Sequence, residues 1–184
     1  GYNEIIQIGA VLANDNWFEL SNFDSLVYPE NKNSVSKYSE AIHGISLDDL
    51  EDAPSAYEVL ENFENWVRKS LKRQEDQPIN DIIICGQSVI NDVNFLRVKY
   101  SELNLTWPFS LKIIDLLSLS FIFYQIFDAN GIRRSKSYSL NAVAEFFSFS
   151  REDSTHNALE DAILTYKCFK EYIKIARSIK YKMV

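Results

Sequence analysis

Residues 81–92 read DIIICGQSVIND. The run Ile82-Ile83-Ile84-Cys85 is short, apolar and rich in β-branched side chains, the pattern of a strand buried on both faces of a sheet. Gly86 closes it, and helical periodicity resumes from about Val89 to Leu103. Asp92 therefore falls a few residues beyond the carboxyl end of a strand, near the first turn of the next helix. An acid there suits the helix dipole, and that edge of an open α/β sheet is also where ligands bind.

Upstream, residues 4–13 (EIIQIGAVLA) repeat the apolar, β-branched pattern and read as a second doubly buried strand. Asn14-Asp15-Asn16 is a turn signal, and residues 17–28 (WFELSNFDSLVY) return as its hairpin partner. Residues 30–53 are polar with short helical stretches, and Ser46 with Asp49 has the spacing of a capping box. A longer helix follows Pro54-Ser55 to about residue 73, with Val59, Leu60, Phe63, Val67 and Leu71 on one face.

Downstream, Leu111–Ile114 reads as a short strand leading into an apolar helix, about 115–128. Residues 129–137 form a polar, basic loop, and Ser139 caps a helix through Phe147. The last helix runs from about His156 to Ile179, with Leu159, Ile163, Tyr166, Phe169 and Ile173 on its apolar face. A hairpin followed by alternating strands and helices implies a mixed sheet flanked by helices, in a single domain over residues 1–184.

Composition narrows the function. The 184 residues are 46% hydrophobic and 24% charged, so wholesale disorder is excluded. Five scattered glycines cannot build a phosphate-cradling loop of the Rossmann or P-loop kind. Cys85 and Cys168 form no metal or disulfide framework; both read as buried, inert thiols in a reducing compartment, the cytoplasm. A net charge of -7 disfavours passive coating of nucleic acid, but not an enzyme that grips a phosphodiester through cations. The opening GYNEIIQIGAV lacks the layout of a leader, and no apolar run is long enough to span a bilayer.

Two histidines exist, His43 in AIHGIS and His156 in HNALEDA, with Asp161 five positions after the second. The blocks NEIIQIGAVL, AIHGIS, CGQSVINDVNFL, IIDLLSLS, SYSLNAVAEFF and HNALEDAILTYKCF, in that order, resemble the DEDDh 3′→5′ exonucleases. Asn157, four residues before Asp161, stands where the sister subclass carries a tyrosine, which indicates the His subclass. The resemblance implies a ribonuclease H-like fold and two bound ions, Mg2+ or Mn2+. It implies that Asp92 and Asp161 ligate metal and that His156 deprotonates the attacking water. The residue types suit those roles: hard divalent cations take oxygen ligands, and an imidazole accepts protons near neutrality.

Two departures stand out. The D-x-E motif of the family's first strand is not in this sequence, and the resemblance places that strand centrally, between the EIIQIGAV and IIIC strands. Both neighbours then keep unpaired backbone edges, and a natural protein with further residues at its amino end is expected. The second motif reads Gly86-Gln87-Ser88-Val89-Ile90-Asn91-Asp92, with Gln87 and Ser88 in place of a His-Asn pair that helps hold the substrate strand. Gln87, Ser88 and His43 are candidate substrate contacts.

The implied function is a metal-dependent 3′→5′ exonuclease that removes nucleoside monophosphates from DNA or RNA 3′ ends, of the polymerase-proofreading type. Its partners would be a nucleic acid 3′ end and a DNA polymerase subunit, with no membrane. With half of the expected carboxylates outside this sequence, the chain alone should be nearly inactive. The alternative is a catalytically inactive module that keeps the fold to bind nucleic acid or a polymerase. Lys167, Lys170, Lys174 and Arg177 share one stripe of the last helix and read as a solvated face. Arg133, Arg134 and Lys136 are either phosphate contacts or a solvated cluster, and Asp115 reads as structural.

Overall fold

The computed structural model describes residues 4–31, 37–151 and 157–179. Strands β1 (Gln7–Ala13) and β2 (Glu19–Leu26) form the expected antiparallel hairpin, with Gln7 opposite Leu26. The turn closes because the Asn14 side chain accepts backbone N–H bonds from Asn16 (3.0 Å) and Phe18 (3.1 Å), an Asx-type turn. Strands β3 (Ile84–Gly86) and β4 (Ile113–Asp115) pair in parallel, as a crossover through a helix requires.

Among the described residues no strand joins the two pairs, so the mixed sheet is split. Among the described residues, β1 and β3 each have a hydrogen-bonded partner on one side only. This corrects the expectation of doubly buried strands: Leu12 alone is buried in β1. Ile83 and Cys85 are exposed, so only Cys168 is the buried thiol expected of both. The surrounding protein still desolvates the Cys85 sulfur and pushes its pKa up to about 11, which keeps it a poor nucleophile.

Seven helices are described: α1 (Lys37–His43), α2 (Leu47–Leu50), α3 (Ala56–Ser70), α4 (Ile90–Glu102), α5 (Leu116–Ala129), α6 (Leu140–Phe146) and α7 (Ala158–Ser178). Local chemistry sets their starts. Ser46 with Asp49 and Ser55 with Glu58 form capping boxes at α2 and α3, and Asp115, Ser139 and Asn157 cap α5, α6 and α7. His43 is the last residue of α1 rather than part of a loop.

Two main cores result. One joins α5, α6 and α7 through Leu116, Tyr124, Phe127, Val143, Phe169 and Tyr172. The other joins α3 to α4 and the following loop through Leu60, Phe63, Val67, Tyr100 and Phe109. The buried face of α7 comprises Leu164, Thr165, Tyr166, Cys168, Phe169 and Tyr172, while Leu159, Ile163 and Ile173 are only half-buried. The face is broader than a single stripe because α7 serves several neighbours: it packs on β1 and on α5 and α6, and reaches β2 and β3. No described helix is long and apolar enough to cross a membrane.

Candidate active site

The site is best built from the turn after β3. Gly86 lies opposite Asp115 across the parallel pair. The Asp115 carboxylate oxygen Oδ1 accepts the N–H of Leu117 (2.8 Å), capping α5, and the N–H of Ser88 (3.1 Å). One oxygen therefore ties the second motif to the next strand–helix junction, which gives a mechanism to the structural reading of Asp115. Ser88 bends the chain into α4 with a left-handed backbone, φ 54°, a conformation that favours Gly or Asn. Gln87 donates from its amide to the Tyr138 carbonyl at 2.8 Å, and its buried Oε1 has no hydrogen-bond partner among the described residues.

Asp92 then emerges in the first turn of α4, as the sequence suggests. Its residue surface remains exposed, but desolvation of the carboxyl by nearby protein raises its pKa, and the Asp115 charge adds to the effect. Bringing this acid to one place with another negative charge is costly without a cation.

Asp161 lies in the first turn of α7. That turn is pressed against β1: the Ala158 N–H donates to Gln7 Oε1 (3.1 Å), and a Cβ at Gly9 would meet the Leu159 nitrogen at 2.2 Å. The sequence reading missed Arg151, whose guanidinium donates from Nε to Asp161 Oδ1 at 2.7 Å and holds the same oxygen through its terminal nitrogen at 2.6 Å. Nothing in the spacing of Arg151 and Asp161 signals that pairing. It missed Glu160 as well, whose Oε2 is buried and lacks a hydrogen-bond partner among the described residues.

His156 lies outside the described residues. His43 spends its Nδ1 as the acceptor of the Ile45 N–H (3.1 Å), and burial lowers its pKa, so the ring is a neutral local cap with its proton on Nε2. Arg134 resolves toward structure: it pairs with Asp128 at 2.6 Å and lies over the Tyr124 ring at 4.2 Å, whereas Arg133 and Lys136 are exposed.

The donors fit a hard divalent cation in kind, since Asp92, Asp161 and the orphaned Glu160 oxygen are all carboxylate oxygens. In number they fall short: no three His, Cys, Asp or Glu among the described residues gather closely enough to hold an ion. Asp92 lies in the first turn of α4 and Asp161 in the first turn of α7, and no described strand joins the two strand pairs beside them.

The chain is 28% identical over 178 residues to the PolC-type DNA polymerase III of Thermotoga petrophila, covering 96% of this chain and 11% of that protein. It is 26% identical over 183 residues to the DNA polymerase III epsilon subunit of Rickettsia conorii, covering 99% of this chain and 70% of that one. The chain thus spans about a tenth of the length of its PolC-type relatives. Among solved structures, the nuclease domain of 3'hExo, a DEDDh family member bound to rAMP, shares the fold with a TM-score of 0.74 at 19% identity, covering 98% of this chain and 86% of that one. The structure of cell-death related nuclease 4 aligns with a TM-score of 0.72 at 16% identity, covering 94% of this chain and 57% of that one. The family model described as exonuclease matches residues 1–169, and with the order of its motif blocks and its mixed α/β architecture the chain belongs to the exonuclease family, in the DEDDh superfamily.

Proposed function

We propose that this single domain is the nuclease part of a 3′→5′ exonuclease that removes nucleoside monophosphates from DNA or RNA ends, in the service of a DNA polymerase. The observation that carries it is the position of Asp92, in the first turn of the helix that follows the carboxyl edge of β3, inside a chain of the exonuclease family. Relatives named as PolC-type polymerase and epsilon subunit support a proofreading task and a polymerase partner.

Mg2+ or Mn2+, two ions in the complete site, would stabilise charge on the phosphate under attack. Asp92 and Asp161 would each supply a carboxylate oxygen, His156 would take a proton from water, and Gln87, Ser88 and His43 would flank the substrate strand. For Gln87 the support is its buried, unpartnered Oε1; for His43 it is a ring whose Nε2–H stays available while Nδ1 is used locally.

The test uses labelled single-stranded DNA and RNA oligomers, with and without manganese, on protein that supplies a D-x-E strand beside this chain. Stepwise shortening from the 3′ end is expected, and no shortening of either polymer defeats the proposal. The 184-residue chain alone should be nearly inactive. The Arg151–Asp161 pair favours one rival: a non-catalytic module in which an arginine occupies the seat of a cation. In that case manganese at millimolar concentration would leave the pair in place and bind nowhere near Asp92.

A further inference from the structure

Besides Ile122, helix α5 presents two large apolar side chains to solvent, Leu117 (40% exposed) and Phe121 (55% exposed). Four residues apart, they share one face of the helix. That face begins at the second motif, because the Leu117 and Ser88 N–H groups bond the same Asp115 oxygen. It returns to the second motif at its other end: the Phe121 ring lies 6.1 Å from the Tyr138 ring, and the Tyr138 carbonyl accepts the Gln87 amide. The loop that carries Tyr138 also carries Arg133 and Lys136, both exposed and without an ion pair among the described residues. Arg134 in the same loop is committed to Asp128 and Tyr124 and is not part of this cationic edge.

An exposed ring, backed by the half-buried Tyr138 and beside two cations with no ion pair among the described residues, is unusual on a chain of net charge -7, and it is what an unpaired polynucleotide needs. Every base offers a π-face that stacks on an aromatic side chain, and every linkage a phosphate for a cation. Building on the exonuclease reading, we propose that Leu117, Phe121 and Tyr138, edged by Arg133 and Lys136, form a track for single-stranded nucleic acid, along which the strand lies as its end reaches the Gln87-Ser88 turn. A paired duplex would offer this track phosphates but not base faces, so the track selects unpaired ends.

The experiment is fluorescence anisotropy with labelled oligo(dT) in EDTA, on this chain and on Phe121→Ala, Phe121→Tyr and the double variant Arg133→Ala/Lys136→Ala. Phe121→Ala should weaken oligo(dT) binding about ten-fold with an unchanged melting temperature, and Phe121→Tyr should restore it. The double variant should lower the steepness of the salt dependence by about 1.4, two phosphate contacts' worth on a single strand. Wild-type affinity in both Phe121→Ala and the double variant overturns the track and assigns the face to a protein. Manganese-dependent shortening of the strand is scored separately in the protein that carries this chain. Shortening with an unaltered KM in Phe121→Ala sinks the track alone. Binding that depends on Phe121 without any shortening upholds the track and sinks the nuclease reading alone.

Discussion

At the residue scale, the two substitutions in the second motif have different consequences. Gln87 takes up a new job, tying the turn to the Tyr138 carbonyl. Ser88 inherits a left-handed backbone that suits it poorly. Ser88→Asn should therefore raise stability by up to about 1 kcal/mol, visible as a higher melting temperature, because asparagine tolerates that region at lower cost. A lower melting temperature would mean that the serine hydroxyl has a role its backbone does not reveal. Arg151 is the other decisive residue. While it holds Asp161 Oδ1, a cation must compete for that oxygen. Arg151→Gln should tighten manganese binding severalfold in calorimetry; equal affinity would place the metal away from Asp161. Arg151 could not be read from the sequence, since its pairing depends on the tertiary placement of its side chain against α7.

At the element scale, helix starts were legible because capping is local: a serine and an acid three residues on suffice to mark α2 and α3. Strand burial was not legible, because it depends on what lies on each side of the strand. Gly9 shows the difference. Within β1 it looks like an unremarkable small residue, yet the first turn of α7 sits directly on it. Gly9→Ala should destabilise the chain by about 3 kcal/mol in denaturant unfolding, because the obstruction is helix backbone, which cannot rotate aside. Between α3 and α4, the Tyr100 hydroxyl donates to Glu64 Oε1 at 3.1 Å, and Glu64 also holds Arg68 at 2.7 Å. Tyr100→Phe should cost about 1 kcal/mol, since Glu64 keeps its arginine but loses a buried donor. No loss at all would mean that water replaces the hydroxyl.

At the scale of the whole molecule, acid should weaken the fold from two directions. Hydrogen bonds from Ser46 and Ser55 hold Asp49 and Glu58 below the usual carboxylate range, so the stability they contribute is present above their ordinary pKa values and lost as pH falls through the lowered ones. His43, lowered by burial, stabilises the fold while neutral, and that contribution is lost as pH falls below about 6.5 through its lowered value. Asp92 acts with the opposite sign. Its raised pKa means that the folded state holds the proton more tightly, and the stability this gives at low pH is lost as pH rises through the raised value. Asp92→Asn should therefore raise the melting temperature at pH 7, with the gain shrinking toward pH 4. A gain that does not change with pH would show that desolvated charge is not its origin.

The sequence by itself determined the order of elements, the hairpin, the serine-led starts of α2, α3 and α6, the place of Asp92 at the start of α4 and the family. Each is written in periodicity, in turn chemistry or in motifs read along the chain, so neighbours within a few residues settle it. Only the tertiary structure decided that the sheet is divided into two pairs, that Arg151 holds Asp161, that Cys85 is exposed and that Phe121 stands open beside the second motif. Each of those depends on which distant segments meet, and contacts between residues far apart in the chain leave no period for a reader of sequence to find.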